Sequence, residues 1–543
     1  MPVASFDIKE LEELTGKDLN KDLLENKVPM LGCDLERINR EEVDYEIFPD
    51  RPDLLSVEGF ARALRYFFGL EKGIKEYEST ESGIELNLEK SVDPVRPCIS
   101  AAVIRNIKLN DDVLRSLMQV QEKIHQTFGR GRKKIAIGIH DLDKVEPPFT
   151  YRGVKPEEIE FVPLQAEEKM NLKEIGEKHP KGNYTQILEG NERWPIIVDK
   201  NGEVLSFPPV INGKLTEVSE ETENIFIDVT GTDRKSVEQA LNVVVTSLAE
   251  RGGEIETVSV DGEERPNLSN KEMEVDLEYV NRLLDLDLSR EEFAELIRGM
   301  GLDYSDGKVS IPCYRTDIMH PIDIVEDAAI SHGYSNFGAH IPEVPGIGDP
   351  QDVEEFSEKM RELMIGFGFQ EVKTSVLTSK DKQFERMEKG EEEVAEMENP
   401  LSEKHNICRK NIMPGLLEVL GQNQHRSYPQ KIFEIGDVVE VVSKEETGAR
   451  NKRKLSGLIC DGTINYADLA SRVISLLEIL DKDVKIKDQE SRTYLGNRSG
   501  KIIADGEEIG IIGEIHPQVL ENWRLEKPAV AFEIDLEKIK LSS

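Results

Sequence analysis

Tyr314-Arg-Thr-Asp-Ile-Met-His-Pro-Ile-Asp-Ile-Val-Glu-Asp-Ala-Ala-Ile-Ser-His-Gly-Tyr334 carries four carboxylates within eleven residues, together with the start and stop signals of one helix. Pro321 suits a first helical turn, where its missing N–H costs nothing, and Gly333 suits a left-handed end. On a helix between them Asp323, Glu326 and Asp327 fall at i, i+3 and i+4. That spacing predicts one shared face, with Asp317 just ahead of the N-terminus. A compact all-oxygen set suits a hard divalent cation, Mg2+ before Zn2+. The plainer reading is that acids in a first turn offset the helix dipole and that charge runs are solvated faces.

Working outward, residues 309–311 read as a strand feeding this segment. Ser289 and Glu292 have capping-box spacing before Phe293, Leu296, Ile297 and Met300, and Gly301 stops that helix. Residues 268–342 then form one small module, and the Pro- and Gly-rich stretch 342–350 reads as a linker. Beyond it, 351–543 alternates helices (353–364, 467–480) with strands (431–435, 509–512), and the acidic run 388–398 reads as an exposed loop. Upstream, 1–85 predicts a small α+β module. It opens with a strand and a helix that has Asp7 and Glu10 at capping-box spacing, an apolar stripe of Ile8, Leu11 and Leu14, and Gly16 at its end. A second helix covers 57–68, and the polar stretch 76–91 reads as the exit. Between 95 and 260 the pattern is mixed: a helix over 112–128, the basic turn Gly129-Arg-Gly-Arg-Lys-Lys134, and a strand over 135–139 running into His140-Asp141. Paired extended segments follow at 194–198 and 204–212, then a strand at 225–229, a turn at 230–233 and a helix at 236–251. The fold class is multidomain α+β.

A chain of 543 residues should hold several domains of ~100–200 residues each. Its 38% hydrophobic content is enough for real cores. The formal charge of −38 argues against a general DNA-binding or membrane surface, but leaves room for a nucleic acid gripped by a local basic patch. The five cysteines are scattered, with no zinc spacing and no disulfide framework. The first residues lack the basic and apolar runs of a signal peptide, and no apolar stretch approaches the ~18 residues that span a bilayer. These features predict a reduced, soluble, cytoplasmic protein with no membrane partner.

Taken in order, the segments resemble the beta subunit of phenylalanyl-tRNA synthetase in its shorter archaeal and eukaryotic form. Phe48-Pro-Asp-Arg-Pro-Asp-Leu-Leu-Ser56 is similar to the family's N-terminal signature. Ile137-Gly-Ile-His-Asp-Leu-Asp143, Phe207-Pro-Pro-Val-Ile-Asn212 and Asp228-Val-Thr-Gly-Thr-Asp233 resemble its B3/B4 region. Arg315-Thr-Asp317, Asp323-Ile-Val-Glu-Asp327 and Gly333-Tyr334 resemble B5. Asn399-Pro-Leu-Ser402, Met413-Pro-Gly-Leu-Leu417, Phe433-Glu-Ile-Gly436 and Gly513-Glu-Ile-His-Pro517 resemble the C-terminal module. The resemblance implies a B1-like domain at 1–85, a B3/B4-like tRNA editing domain at 95–260 and a B5 domain at 268–342. For 351–543 it implies a B6/B7 module, an antiparallel sheet like a class II aminoacyl-tRNA synthetase with its active site lost. It also implies an alpha2beta2 heterotetramer whose alpha subunit joins phenylalanine to tRNA(Phe) with ATP and Mg2+. Asp317, Asp323, Glu326 and Asp327 would then bind a Mg2+ associated with the alpha–beta assembly. Arg409 and Arg498 sit in no convincing ATP-binding pattern and are assigned to structure or subunit contacts.

The chain's own chemistry is expected in the central region, which in this family hydrolyses tyrosine wrongly attached to the tRNA. An apolar pocket rejects an added hydroxyl only weakly, by ~100-fold, so a second site that reads the hydroxyl improves fidelity. Ser206, Asp228 and Thr230 match positions of the family's editing pocket, although each residue type is common at strand ends and turns. His140 is a further candidate, for water activation. No Ser-His-Asp spacing is present, which favours attack by water assisted by the substrate over a covalent intermediate. Arg130, Arg132, Lys133 and Lys134 are candidates to touch tRNA phosphate. Two rival readings are a free-standing deacylase of mischarged tRNA and a non-enzymatic scaffold paralogue.

Overall fold

The strand Ile225–Gly231, buried along its whole length, lies within the largest sheet of the chain. In a computed structural model describing residues 2–339, 341, 344, 346 and 348–539, contacts divide the chain into two units, 1–341 and 342–543. The large sheet lies in the first unit. Its strand order is Ile211–Asn212, Val204–Phe207, Trp194–Val198, Phe149–Val154, Ser79–Leu88, Glu254–Val260, Cys98–Arg105, Ile225–Gly231, Ile135–Asp141, with Glu263–Arg265 paired to Glu254–Val260. Pairing is antiparallel except where Ser79–Leu88 runs parallel to both of its neighbours.

One face of this sheet is covered by the helices Asp111–Gln126 and Arg234–Ala249, which bury Ile227, Val229, Val237 and Val244. That core continues without a break into the N-terminal segment, through Phe6, Tyr45 and Phe60. The opposite face buries Phe149, Tyr151, Leu205 and Phe226. The stretch 76–91 is therefore not an exit from the first module. It supplies the central strand Ser79–Leu88, whose inward Ile84 and Leu86 alternate with polar residues. Polar content masked a two-residue period that only the neighbouring strands make meaningful.

The N-terminal segment folds as a three-stranded sheet (Val3–Asp7, Glu42–Ile47, Cys33–Ile38) with the helices Ile8–Thr15 and Val57–Phe67. Asp7 caps the first helix by accepting from the Glu10 amide at 2.9 Å. A second three-stranded sheet (Lys271–Glu274, Lys308–Ile311, Asp303–Ser305) carries the helices Leu277–Leu284, Arg290–Arg298 and Pro321–His332 around Val280, Phe293, Ile297 and Ile324. Ser289 and Glu292 complete both bonds of their capping box.

The second unit is a seven-stranded sheet in the order Gln370–Glu371, Gln430–Val441, Ala449–Cys460, Ala529–Asp535, Glu507–Ile515, Tyr494–Ala504, Val484–Asp488. It is antiparallel except for the short Gln370–Glu371 edge. The helices Asp352–Gly366 and Tyr466–Ile479 pack on one face, and Met413–Gln422 and Pro517–Asn522 on the other. Arg409 is buried in this unit. It pairs with Glu434 at 2.8 Å and donates to Thr374 Oγ1 and the Asp437 carbonyl. Arg498 pairs with Glu514 at 3.0 Å. Both arginines are thus spent on protein partners. Of the predicted linker, residues 342, 343, 345 and 347 lie outside the described residues. Among the described residues no helix is long and apolar enough to cross a membrane.

Candidate active site

Strand alternation sends Ile227 and Val229 toward the helices and Asp228 and Thr230 to the other side of the sheet. There they line a cavity of about 400 Å³ together with Gly138, Ser206, Asn212 and Arg132. Three sequence candidates, Ser206, Asp228 and Thr230, therefore share one site, although Ser206 is 22 positions before Asp228 in the chain. Ser206 and Asn212 face each other on neighbouring strands of the same sheet.

Asp228 is 1% exposed and its Oδ2 lies 2.9 Å from His140 Nε2. The other ring nitrogen of His140 lies 2.8 Å from Thr216 Oγ1. Asp228 Oδ1 has no hydrogen-bond partner among the described residues. Register makes this possible, because Asp228 stands opposite Gly138 on the adjoining strand. A Cβ at Gly138 would come 1.9 Å from Asp228 Oδ2 and 2.8 Å from His140 Nε2. The carboxylate thus lies flat across a strand that carries no side chain at that point.

The structure places His140, the candidate for water activation, behind the cavity floor: its ring is 0% exposed, does not line the cavity and lies against Asp228.

The two hydroxyls of the site carry opposite polarity. Ser206 donates to Asn212 Oδ1 at 3.2 Å, while Asn212 Nδ2 donates to the Ile139 carbonyl at 3.2 Å. The Ser206 proton is thereby committed, and its lone pairs are left as acceptors. Thr230 Oγ1 instead accepts from Arg96 Nε at 2.9 Å, which leaves its own proton to donate. Arg96 is 1% exposed and also donates to the carbonyls of Thr230, Arg132 and Lys133. Burial pulls its pKa down to about 10, so it remains charged at neutral pH.

The basic turn splits. Arg132 is buried, donates to the Pro209 and Val210 carbonyls, pairs with Glu122 at 3.1 Å and lies 4.3 Å over the Tyr184 ring. It is corrected from a tRNA contact to part of the cavity wall. Lys134 is half-buried, 3.8 Å from Asp233 and over the Phe128 ring. Arg130 and Lys133 are exposed. Below the turn, burial lowers the pKa of His125 to about 4, and its Nε2 accepts the Ile137 amide at 2.8 Å.

The four carboxylates of the opening stretch do not converge. Asp317 and Asp327 both receive Arg315, at 2.7 and 2.8 Å, and Arg51 stands 3.9 Å from Asp317. Asp323 turns back to accept the Met319 and His320 amides at 2.8 Å each, as a helix cap. Glu326 is exposed while Asp327 is 3% exposed, because consecutive helical positions point about 100° apart. Among the described residues no group of three or more His, Cys, Asp or Glu side chains is placed to hold a metal ion. Within this chain by itself Arg315 bridges Asp317 and Asp327, and the four carboxylates do not form a closed ligand set.

Sequence reasoning missed Gly138, Asn212 and Arg96. Gly138 and Asn212 lie inside quoted motifs but gave no chemical signal of their own. Arg96 stands alone in Asp93-Pro-Val-Arg-Pro97 with no pattern to mark it.

Three family patterns match the chain. They are the Phenylalanyl tRNA synthetase beta chain CLM domain over residues 339–536, the tRNA synthetase B5 domain over 273–334 and the B3/4 domain over 91–259. The chain is 43% identical to the Phenylalanine–tRNA ligase beta subunit of Archaeoglobus fulgidus, covering 99% of this chain and 98% of that one. It is 41% identical to the protein of that name from Methanocaldococcus jannaschii, over 99% and 100% of the two chains. A crystal structure of an N-terminal fragment of the Pyrococcus horikoshii phenylalanyl-tRNA synthetase beta subunit superposes with a TM-score of 0.58 at 38% identity, covering 61% of this chain and 99% of the fragment.

Proposed function

The chain belongs to the phenylalanine–tRNA ligase beta-subunit family, and from that membership we propose that its large-sheet cavity hydrolyses tyrosine wrongly esterified to tRNA(Phe). The observation that carries this reading is the convergence of one carboxylate, one committed acceptor and one committed donor on a single cavity floor.

Asp228 Oδ1 holds the α-ammonium of the aminoacyl group, with the carboxylate fixed from behind by His140. Ser206, with its proton given to Asn212, accepts from the phenolic hydroxyl that distinguishes tyrosine from phenylalanine. A water oxygen adds to the ester carbonyl carbon, and the bond from that carbon to the ribose oxygen breaks. The ribose oxygen takes up a proton, releasing tyrosine and a free tRNA terminus. Among the described residues the cavity holds no nucleophile–base pair, so a hydroxyl of the substrate's own ribose is the natural group to orient the water. Exposed Arg130 and Lys133 lie beside the cavity wall and would track the phosphates of the acceptor end.

Phenylalanine activation belongs in this reading to an alpha subunit, which with this chain forms an alpha2beta2 assembly in the cytoplasm. ATP and Mg2+ serve that step, and nothing in the hydrolysis passes through them. The second unit supports the assembly as a class II-like module without its own active site.

Tyr-tRNA(Phe) added to the chain with and without its alpha subunit tests the proposal. Release of tyrosine in neither mixture would sink it, and release by the chain alone at the full rate would favour a free-standing deacylase. Asp228→Ala is expected to slow release by about 10- to 100-fold while phenylalanine attachment continues, so that Tyr-tRNA accumulates.

A further inference from the structure

Arg96 is a buried cation without a carboxylate at ion-pair distance among the described residues. Buried arginines elsewhere in the same unit have one: Arg315 reaches Asp317 and Asp327, and Arg62 stands 3.9 Å from Glu250. Burying a charge against carbonyls and one hydroxyl, with no ion-pair partner, is costly, and such an arrangement asks what the charge does. Its four donor contacts are the Thr230 hydroxyl at 2.9 Å, the Thr230 carbonyl at 2.8 Å and the carbonyls of Arg132 and Lys133 at 3.1 and 3.4 Å. Two of them grip a single residue of the cavity floor.

Resting on the hydrolytic reading above, we infer that Arg96 is a positioning residue that makes Thr230 the oxyanion donor of the reaction. Nε–H occupies a lone pair of Thr230 Oγ1, so the hydroxyl proton is free for the cavity, and it has no acceptor among the described residues. A hydroxyl that accepts from a cation is a stronger donor, because the two hydrogen bonds polarise each other. Asp228 and Thr230 stand two apart on one strand face, about 6–7 Å from each other. That span lets one hold the amino group and the other the carbonyl oxygen of the same aminoacyl ester. When water adds to the carbonyl carbon, the π electrons move onto that oxygen, and the negative charge develops where the Thr230 proton points. When the intermediate collapses, the electrons return, the bond to the ribose oxygen breaks, and Thr230 releases its hold. A preorganised donor of this kind acts on the transition state and leaves ground-state binding little changed.

The test is a double-mutant cycle on the alpha–beta holoenzyme, with Tyr-tRNA(Phe) hydrolysis followed over a range of substrate concentrations. Arg96→Met and Thr230→Val are each expected to lower kcat by about 10- to 100-fold with KM within about twofold. Adding Arg96→Met to Thr230→Val is expected to change kcat by less than about threefold, because the arginine acts through the hydroxyl. Thr230→Ser should keep most of the rate. Thermal unfolding of each variant reports folding, and if Arg96→Met does not fold, Arg96→Lys in both backgrounds replaces it. The inference is overturned by full additivity of the two substitutions, or by a raised KM at unchanged kcat. A wild-type enzyme that releases no tyrosine removes the hydrolytic reading and this inference with it. A wild type that hydrolyses while the cycle is additive removes the inference alone.

Discussion

At the scale of single residues, Asp228 shows how far the pose of a buried carboxylate depends on its neighbours. Its usefulness depends on a ring behind it and on a missing side chain opposite. Gly138→Ala places a methyl group 1.9 Å from Asp228 Oδ2. The expected result is at least a tenfold loss of tyrosine release with a stability cost of about 1–3 kcal/mol, measured by deacylation and thermal unfolding. Retained hydrolysis in Gly138→Ala would show that the carboxylate does not need its present pose. Asp228, Thr230 and Ser206 were legible in the sequence only through the family resemblance, since the local pattern ends the strand at Val229 and reads Thr230 as part of a turn. The role of His140 was not legible: strand register, not chain position, buries its ring behind Asp228.

Among elements, the segments joining the N-terminal part to the rest of the first unit are held by buried charge. Glu250, just beyond the helix Arg234–Ala249, is 3% exposed at its side chain and receives Arg65 at 2.5 Å, Lys75 at 2.9 Å and the Tyr77 hydroxyl. Burial alone would raise its pKa, but Arg62 and the bonds from Tyr77 and Lys75 outweigh it and hold the carboxyl below its ordinary range. The folded pKa is depressed, so this contribution is present above the unfolded value of ~4.3 and disappears as pH falls through the lower folded one. Glu250→Gln is therefore expected to cost about 3–5 kcal/mol at pH 7, with the gap to wild type narrowing below about pH 4 in denaturant titrations. A gap independent of pH would mean that the carboxylate charge is not what binds these elements. The helix Pro321–His332 makes a parallel case. Asp323 accepts two backbone amides at its start, and Asp323→Ala should cost about 0.5–2 kcal/mol whether or not Mg2+ is present. Helix starts and stops were legible here because Pro321 and Gly333 act locally. The carboxylate pattern did not foretell the Arg315 pairing, because spacing alone does not tell which acids a buried arginine will claim.

For the whole molecule, a net charge of −38 sets how nucleic acid is approached. A long-range field that repels phosphate leaves recognition to short-range contacts and to the partner subunit. The exposed cations Arg130 and Lys133 are expected to supply such contacts. Lys133→Glu should weaken tRNA binding by the holoenzyme and reduce the slope of log affinity against log salt by about 1, with no change in unfolding temperature. An unchanged slope would move the tRNA path away from this turn.

The family resemblance alone pointed to Ser206, Asp228 and Thr230, whereas periodicity, caps and turn residues along the chain were sufficient for the α+β class and most helices and strands. These features depend on neighbours a few positions apart, where sequence and geometry are nearly the same thing. The polar strand Ser79–Leu88, the merging of the N-terminal core with that of the large sheet, and the capture of Asp317 and Asp327 by Arg315 lay beyond that reach. So did the placing of Arg96 beneath Thr230, across 134 positions of chain. Each depends on which strands pair and which charges are buried together, and burial turns a weak surface attraction into a strong choice of partner.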